Sequence, residues 1–511
     1  MIMRPEAGSP HLTIAVIGTG TMGRGIAQIA AAAGCTVLMG DAKDGADEEA
    51  RNSLAATFAM LAAKGKMTAA EAEAATARLK PTQPTSPDFA KCALVVEAII
   101  EHLDAKRALF SALEDIVPED CVLATNTSSL SVTAIAAGCK RPERVAGLHF
   151  FNPVPLMKVV EVVAGCRTRP DVVDFLSALV RRMGHGAVTT QDTPGFLVNH
   201  AGRGFGPEAL RLMAEGVADP ITIDRILTMQ AGFRMGPFEL LDLVGLDVTV
   251  SVMESIYHQY FQEPRYRPSH LAKARLEAGL LGRKSGQGFY SYVDGQIQRP
   301  VQPPPELAPQ RGIWVSRAHP GAGGLLAQSL EGMGMRLDPV EAPGAESVCL
   351  VTPLGADTST AAIEQGLDPE RVIAIDPLFG FDHGFTAMTS PATRRDVLDS
   401  ALCMLAQGGK PVWRINDSLG FVAQRMVAGI INIACDIAQQ KIASPGDIDL
   451  AVKAGLGYPQ GPLNWGDKLG AKRILEILET MHRLSGEPRF RPSPWLRRRA
   501  GLGLSLLKEE V

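Results

Sequence analysis

A chain of 511 residues exceeds what one ordinary hydrophobic core holds, so two to four domains are expected. Hydrophobic residues at 46% and charged residues at 21% exclude a disordered or fibrous chain. With 51 Lys+Arg against 55 Asp+Glu there is no basis for a nucleic-acid partner or a membrane-surface role.

The N-terminus, Met1 to His11, is short and polar and lacks the apolar core of a signal peptide. No apolar run reaches the roughly 18 residues of a membrane span, and a cytoplasmic location is expected. The eight cysteines stand singly, without a CxxC pair or a histidine at ligand spacing. Free thiols are expected, with no disulfide framework and no metal. The one dense basic run, Arg497-Arg498-Arg499, reads as a solvated helix face.

In chain order, Thr13–Ile17 is a short apolar strand, followed by glycines, an Ala-rich helix around Gly25–Ala33 and a second strand at Cys35–Met39. Strand-like runs recur at Ala93–Val96, Val122–Ala124, Val145–His149 and Lys158–Val163, with helical stretches between them. This alternation predicts a doubly wound parallel sheet over residues 1–191. From Asp192 the pattern turns helical (Glu208–Glu215, Ile223–Gln230, Val248–Phe261), and residues 192–295 form a second, helical domain. Five prolines at 300, 303, 304, 305 and 309 mark residues 296–310 as a stiff linker.

Beyond the linker the chain repeats itself. Gly195-Phe196 returns as Gly420-Phe421, Gly236-Pro237 as Gly461-Pro462 and Asp242 as Asp467, each displaced by 225 residues. Pro264-Arg265-Tyr266-Arg267-Pro268 returns as Pro488-Arg489-Phe490-Arg491-Pro492. Residues 416–511 are therefore a second helical domain. Residues 311–415 echo the first domain faintly: Gly321–Gly324 resembles Gly18–Gly25, and Arg371–Asp376 resembles Arg144–His149. The glycine spacing there is wrong and no acidic partner is evident, so a second dinucleotide site is not expected.

Gly18-Thr19-Gly20-Thr21-Met22-Gly23 is a GxGxxG that follows a strand and opens a helix. Gly18 permits the tight turn, Gly20 the approach of a pyrophosphate, and Gly23 close helix–strand packing. Asp41 closes the second strand, where its carboxylate can accept ribose hydroxyls and repel a 2′-phosphate, which favours NAD over NADP. A structural turn with a capping aspartate is the plainer alternative.

His149 ends a strand, where ligands gather in a doubly wound fold. Glu161 lies on the next strand, and Asn126-Thr127-Ser128-Ser129 ends another. A helix cap is the plainer role for Ser128 or Ser129. An imidazole suits proton transfer near neutrality, and a carboxylate on its far nitrogen fixes the tautomer and stabilises the imidazolium.

Asn126–Leu130, Gly147–Pro153, Asp192–Asn199, Gly236–Asp242 and Gly282–Tyr290 together resemble the 3-hydroxyacyl-CoA dehydrogenase family over residues 12–292. The resemblance implies an α/β plus all-α architecture: a Rossmann-type doubly wound sheet and a helical C-terminal domain, here duplicated with a degenerate second Rossmann-like segment. It implies NAD-dependent oxidation of a 3-hydroxyacyl-CoA, with His149 as general acid/base paired with Glu161. Ser128 and Asn199 become the polar groups around the reacting oxygen and thioester. Cofactor contacts from Glu101, Lys106, Asn152 and Lys284 are implied as well.

The turn Lys64-Gly65-Lys66 is offered to the phosphates of the acyl-CoA substrate. Two-unit chains of this size resemble the 3-hydroxybutyryl-CoA and 3-hydroxyadipyl-CoA type of phenylacetate breakdown. A distal carboxylate calls for a cation such as Arg203 or Arg234. In the second half Asp376 replaces His149 and Gln424 replaces Asn199, so that half is expected to be structural. Its helical domain is expected to take the place of a partner subunit within the chain, with a homodimer of such chains as a further possibility. Two alternatives remain at this point: a non-catalytic NAD-binding structural or sensory protein, and a dehydrogenase of free 3-hydroxy acids.

Overall fold

The computed structural model describes residues 6–299, 308–339 and 342–510; most of the expected proline-rich linker lies outside them. The chain divides into two compact units, Met1–His200 with Gln440–Leu456 and Ala201–Gln439 with Gly457–Val511. A short piece of the second repeat thus belongs to the first unit.

The first unit is built on strands β1 (Thr13–Ile17), β2 (Thr36–Gly40), β3 (Leu79–Thr82), β4 (Leu94–Glu97), β5 (Val122–Thr125), β6 (Val145–Phe150), β7 (Val159–Ala164) and β8 (Gly186–Gln191), in the order β3-β2-β1-β4-β5-β6-β7-β8. Side chains alternate between the faces. Ile14 and Val16 join one core with Ile26 and Phe175, and Ala15 and Ile17 join the opposite core with Val95 and Phe110. With both faces covered, the central strands β1, β4 and β5 are largely apolar.

The sheet departs from the all-parallel expectation at one place: β6 and β7 are antiparallel. The connection between them carries no helix to make a crossover, and without one the chain can only turn back on itself. This reversal puts Glu161 directly opposite His149 in the register.

In the second unit, helices dominate residues 206–277, ending at a hairpin of β9 (Ser291–Val293) and β10 (Gln296–Gln298) that the helical expectation did not include. A second sheet follows, of β11 (Ile313–Val315), β12 (Val348–Val351), β13 (Val372–Ile375), β14 (Phe385–Thr389) and β15 (Val412–Asn416), in sequential order. Among the described residues it has five strands against eight in the first sheet, and it keeps one antiparallel step, between β13 and β14.

The repeat extends to conformational detail. Gly195 and Phe196 adopt φ of 76° and 48°, and Gly420 and Phe421 adopt 71° and 49°. A positive φ at phenylalanine is strained, so the same strained turn is kept twice. Asp192 caps the helix Val132–Ala136 through Val132 N–H and Thr133 N–H. Asp417 does likewise for Thr358 N–H and Ser359 N–H.

The two repeats also grip each other reciprocally. On edge strand β8, Gln191 donates its N–H to Ile442 O at 2.9 Å and its amide to Lys441 O at 2.9 Å. On edge strand β15, Asn416 donates its N–H to Val217 O at 2.8 Å and its amide to Gly216 O at 2.8 Å. All three pairs of positions are related by the 225-residue displacement, the pattern of an isologous two-fold interface. Within the second unit Arg265 of the first repeat pairs with Asp436 of the second. Arg489, its counterpart, pairs with Glu215 of the first repeat at 3.3 Å.

The basic run Arg497–Arg499 is only partly a solvated face. Arg497 and Arg498 are exposed, but Arg499 is buried over Trp495 and donates to Lys508 O.

Candidate active site

β1 runs directly into the glycine turn. Gly18 has φ +94°, and a Cβ there would collide with Ala98 O of the segment after β4. At Gly23 a Cβ would overlap Gly18 O, so the helix Thr21–Ala32 approaches the turn only as glycine. Around Gly20 nothing lies within 4 Å of such a Cβ, and no side chain caps the helix N-terminus there. The free N–H groups and open approach fit a pyrophosphate.

Asp41 follows β2 and accepts from Thr19 N–H at 2.6 Å, Thr19 Oγ1 at 2.8 Å and Lys43 N–H at 2.9 Å. Burial pushes its carboxyl up, but the N–H donors of Lys43 and Thr19 outweigh that and hold it below the usual range. Asp41 is therefore an ionised acceptor tied to the glycine turn and only partly buried, which fits the ribose end of NAD.

His149 and Glu161 meet as their register requires: Nδ1 lies 2.5 Å from Glu161 Oε2, and both residues are buried. Glu161 is fixed from its other oxygen. Leu197 N–H donates to Oε1 at 2.9 Å and Val198 N–H at 2.7 Å. These two amides follow the strained Gly195-Phe196 turn, which gives that turn its purpose. Phe151 and Phe196 flank the imidazole, with ring centroids at 4.4 and 5.6 Å. Asn199 comes directly after Val198 on the same helical turn. Asn152 is exposed just beyond β6.

Ser128 is exposed on the segment after β5. Neither it nor Ser129 caps the next helix; Ser131 does, accepting from Ala134 N–H at 3.1 Å. Glu101 organises this segment instead, accepting from Thr127 Oγ1 at 2.6 Å, Ser128 N–H at 2.9 Å and Ser129 Oγ at 2.9 Å. Burial raises its carboxyl, while Thr127 and Lys106 bring it down to about 2. Lys106 is buried between Glu97 Oε1 at 2.6 Å and Glu101 Oε2 at 3.3 Å.

Several organising groups carry no motif in the sequence. Glu97 is fully buried and accepts from Ile99 N–H, Lys106 and Thr125 Oγ1. Asn126 Oδ1 accepts from Phe150 N–H at 2.8 Å, tying the β5 and β6 ends together. The only signal for Glu97 was an acid ending an apolar strand.

Lys64 and Lys66 are exposed on either side of Gly65, in the turn between helices Ala46–Ala63 and Ala69–Arg78. Lys284 belongs to the second unit, where its ammonium pairs with Asp247 at 2.5 Å. The motif around Lys284 has a structural role there. Asp242 accepts from Phe289 N–H, Tyr290 N–H and Tyr292 OH, closing residues 286–292 over its helix. Arg203 is half-buried, and burial pulls it down to about 10, while Arg234 is exposed.

In the second sheet, Asp376 follows β13 at the position of His149, and Thr386 stands at that of Glu161. Gln424 is fully buried, donating to Asp376 Oδ1 at 3.0 Å and Pro353 O at 3.1 Å and accepting from Gly355 N–H at 2.8 Å. Thr386 is committed to Gln230 at 2.9 Å. The catalytic pair is replaced by buried polar contacts in which Asp376 and Thr386 are each engaged by a glutamine. Among the described residues no group of three or more His, Cys, Asp or Glu side chains is placed to hold a metal ion, and no helix is long and apolar enough to cross a membrane.

Comparison with known proteins agrees with this geometry. The 3-hydroxyacyl-CoA dehydrogenase NAD-binding domain matches residues 13–193, and the C-terminal domain of that family matches twice, at residues 195–292 and 420–508. The 3-hydroxyadipyl-CoA dehydrogenase of Escherichia coli K12 is 39% identical over 96% of this chain and 97% of its own length. A probable 3-hydroxybutyryl-CoA dehydrogenase of Bacillus subtilis is 42% identical over 55% of this chain and 97% of its own length. A crystal structure titled as 3-hydroxybutyryl-CoA dehydrogenase from Escherichia coli K12 superposes with a TM-score of 0.84 at 38% identity, covering 96% of this chain and 98% of the other.

The chain belongs to the 3-hydroxyacyl-CoA dehydrogenase family. It is an NAD-dependent oxidoreductase acting on a secondary alcohol.

Proposed function

We propose that the first half catalyses the reversible oxidation of an (S)-3-hydroxyacyl-CoA to the 3-oxoacyl-CoA, with His149 as general acid/base. The observation that carries this reading is the buried His149–Glu161 pair, with Glu161 held from behind by two backbone amides. Glu161 accepts from Nδ1 and leaves Nε2 to face the substrate. In oxidation Nε2 takes the proton of the C3 hydroxyl as the C3 hydride departs, and Glu161 stabilises the imidazolium that results. NAD, when bound, supplies the hydride acceptor. In reduction the imidazolium returns the proton to the ketone oxygen.

Ser128 and Asn199 donate to the oxygens on which charge develops. Gly18, Gly20 and Gly23 admit the pyrophosphate, and Asp41 accepts from the ribose. Glu101 and Lys106 hold the Thr127–Ser129 segment in place beside the cofactor, and Asn152 contributes from the end of β6. Lys284 is the remaining cofactor contact that the resemblance implies. Lys64 and Lys66 serve the CoA phosphates.

The substrates named for the relatives, 3-hydroxybutyryl-CoA and 3-hydroxyadipyl-CoA, are the first to assign, in the cytoplasm. The five-segment organisation is read as a fused duplicate, in which the second repeat replaces a partner subunit and lacks catalytic groups. The reciprocal contacts of Gln191 and Asn416 support that reading.

The test is NADH consumption with acetoacetyl-CoA by the wild-type protein and by His149→Ala, with NADH binding followed by fluorescence. Turnover that disappears in the variant while binding persists is the expected result. NADH binding without turnover in the wild type, on this substrate and on 3-oxoadipyl-CoA, would instead make the protein a sensor or structural relative.

A further inference from the structure

The second repeat has no catalytic pair of its own, yet one of its helices, Pro445–Gly455, lies in the first unit. It covers edge strand β8, where an open edge would otherwise expose unpaired groups. Thr189 N–H on β8 reaches Asp447 at 3.4 Å. A Cβ at Gly186 on the same strand would lie 3.4 Å from Leu450. The helix ends at Gly455, and the contacts there are of a different kind. A Cβ at 455 would stand 3.1 Å from both methyl groups of Val198 and 3.3 Å from Val159. Val198 is the residue whose N–H holds Glu161 at 2.7 Å, and Val159 lies two positions before Glu161 on β7, on the same face of the sheet.

We propose that the helix Pro445–Gly455 of the second repeat is a positioning element for the active site of the first. Gly455 is the residue through which it acts, setting Val198 and β7 so that Glu161 meets His149. The contact touches neither cofactor nor reacting atoms; it works by fixing where the Glu161 carboxylate sits. A gap at this place would let the Val198 amide drift from Glu161, and a larger residue would push it away. Either change moves the carboxylate off the imidazole and weakens its hold on the imidazolium that forms in turnover. A catalytic role thus falls to a half whose own site has been lost. The inference rests on the reading of His149 and Glu161 given above.

The test is a set of variants, Gly455→Ala, Gly455→Val and Gly455→Val combined with Val198→Ala, made in the full-length protein. Their kcat and KM in acetoacetyl-CoA reduction, NADH affinity and thermal midpoint are compared with wild type. The Nδ1 proton of His149, a direct readout of its hydrogen bond to Glu161, is followed by NMR of imidazole-labelled protein, with His149→Gln assigning the signal. Gly455→Val is expected to lower kcat about tenfold with NADH affinity unchanged, and to move the His149 Nδ1 proton signal upfield as that hydrogen bond lengthens. Gly455→Ala should shift both in the same direction by less, and Val198→Ala should restore both by removing the methyl groups in the way.

An unchanged His149 Nδ1 proton signal in a folded Gly455→Val protein would overturn the proposal, as would a fall in NADH affinity parallel to kcat. The NMR signal does not depend on turnover. A wild type without activity would therefore defeat the functional reading while leaving this coupling measurable.

Discussion

Thr386 stands opposite Asp376 in the second sheet as Glu161 stands opposite His149 in the first. The backbone geometry of the site has thus outlived its chemistry. Where Glu161 turns its carboxylate to an imidazole, Thr386 turns its hydroxyl to Gln230, and Asp376 is closed in by Gln424. Burial raises the carboxyl of Asp376 above its ordinary value, which favours a neutral, structural group.

Asp376→Asn should accordingly leave kcat and KM for 3-oxoacyl-CoA reduction at wild-type values. Its effect should be confined to the thermal midpoint, because Asn keeps the volume and can still meet Gln424. Steady-state kinetics beside a melting curve check this. A substantial loss of turnover with an unchanged midpoint would mean that the second sheet takes part in the reaction.

His149→Ala should lower kcat roughly a hundred- to ten-thousand-fold without weakening NADH binding, since the glycine turn and Asp41 remain. Glu161→Gln is expected to be intermediate. The amide keeps the one oxygen that accepts from both Leu197 and Val198 but cannot stabilise the imidazolium, and the pH dependence of kcat should move to lower pH. Rates measured between pH 5 and 9 under saturating NADH decide the point.

Asp41→Ser should shift the cofactor preference. The carboxylate is ionised, only partly buried and tied to Thr19 of the glycine turn, where it repels a 2′-phosphate. Serine removes that charge and keeps a hydroxyl acceptor. The ratio of kcat/KM for NADPH to that for NADH is expected to rise about tenfold or more, an amount equivalent to about 1.4 kcal/mol. An unchanged ratio would show that discrimination lies elsewhere.

The parts legible in the sequence were those where one residue type has few alternatives. Gly18 and Gly23 are close contacts that any side chain would fill, and His149 and Glu161 sit on adjacent strands where their spacing put them. The parts that were not legible depend on tertiary pairing. Glu97 is an ordinary strand-end acid until Lys106 and Thr125 fold onto it. Nothing in the local pattern of residues 445–455 says that this helix leaves its own repeat to cover β8. The capping role expected for Ser128 or Ser129 went to Ser131 because the helix begins at Val132, which puts Ser131 at its N-cap. Lys284 illustrates the converse: its motif is real, but much of it serves the Asp242 carboxylate.

The interlock of the repeats should be most sensitive to acid and to loss of one charge. Glu208 of the first repeat is buried against Arg425 of the second, with Arg211 and Arg489 also near. Burial raises the Glu208 carboxyl, and the guanidiniums of Arg425, Arg211 and Arg489 together more than reverse that, holding it well below the ordinary carboxylate range. A depressed folded-state pKa contributes stability that is fully present above the unfolded value, near 4.3 for a glutamate. That stability is lost as pH falls toward the folded value. Glu208→Ala removes this contribution and strands the Arg425 charge, at a cost of about 3–5 kcal/mol. Denaturant unfolding of wild type and variant at pH 7, pH 4 and pH 3 checks both claims: the gap between them should be widest at pH 7, only begin to shrink at pH 4 and be clearly smaller at pH 3. A gap that grows in acid would show that the pair is not the source of the acid sensitivity.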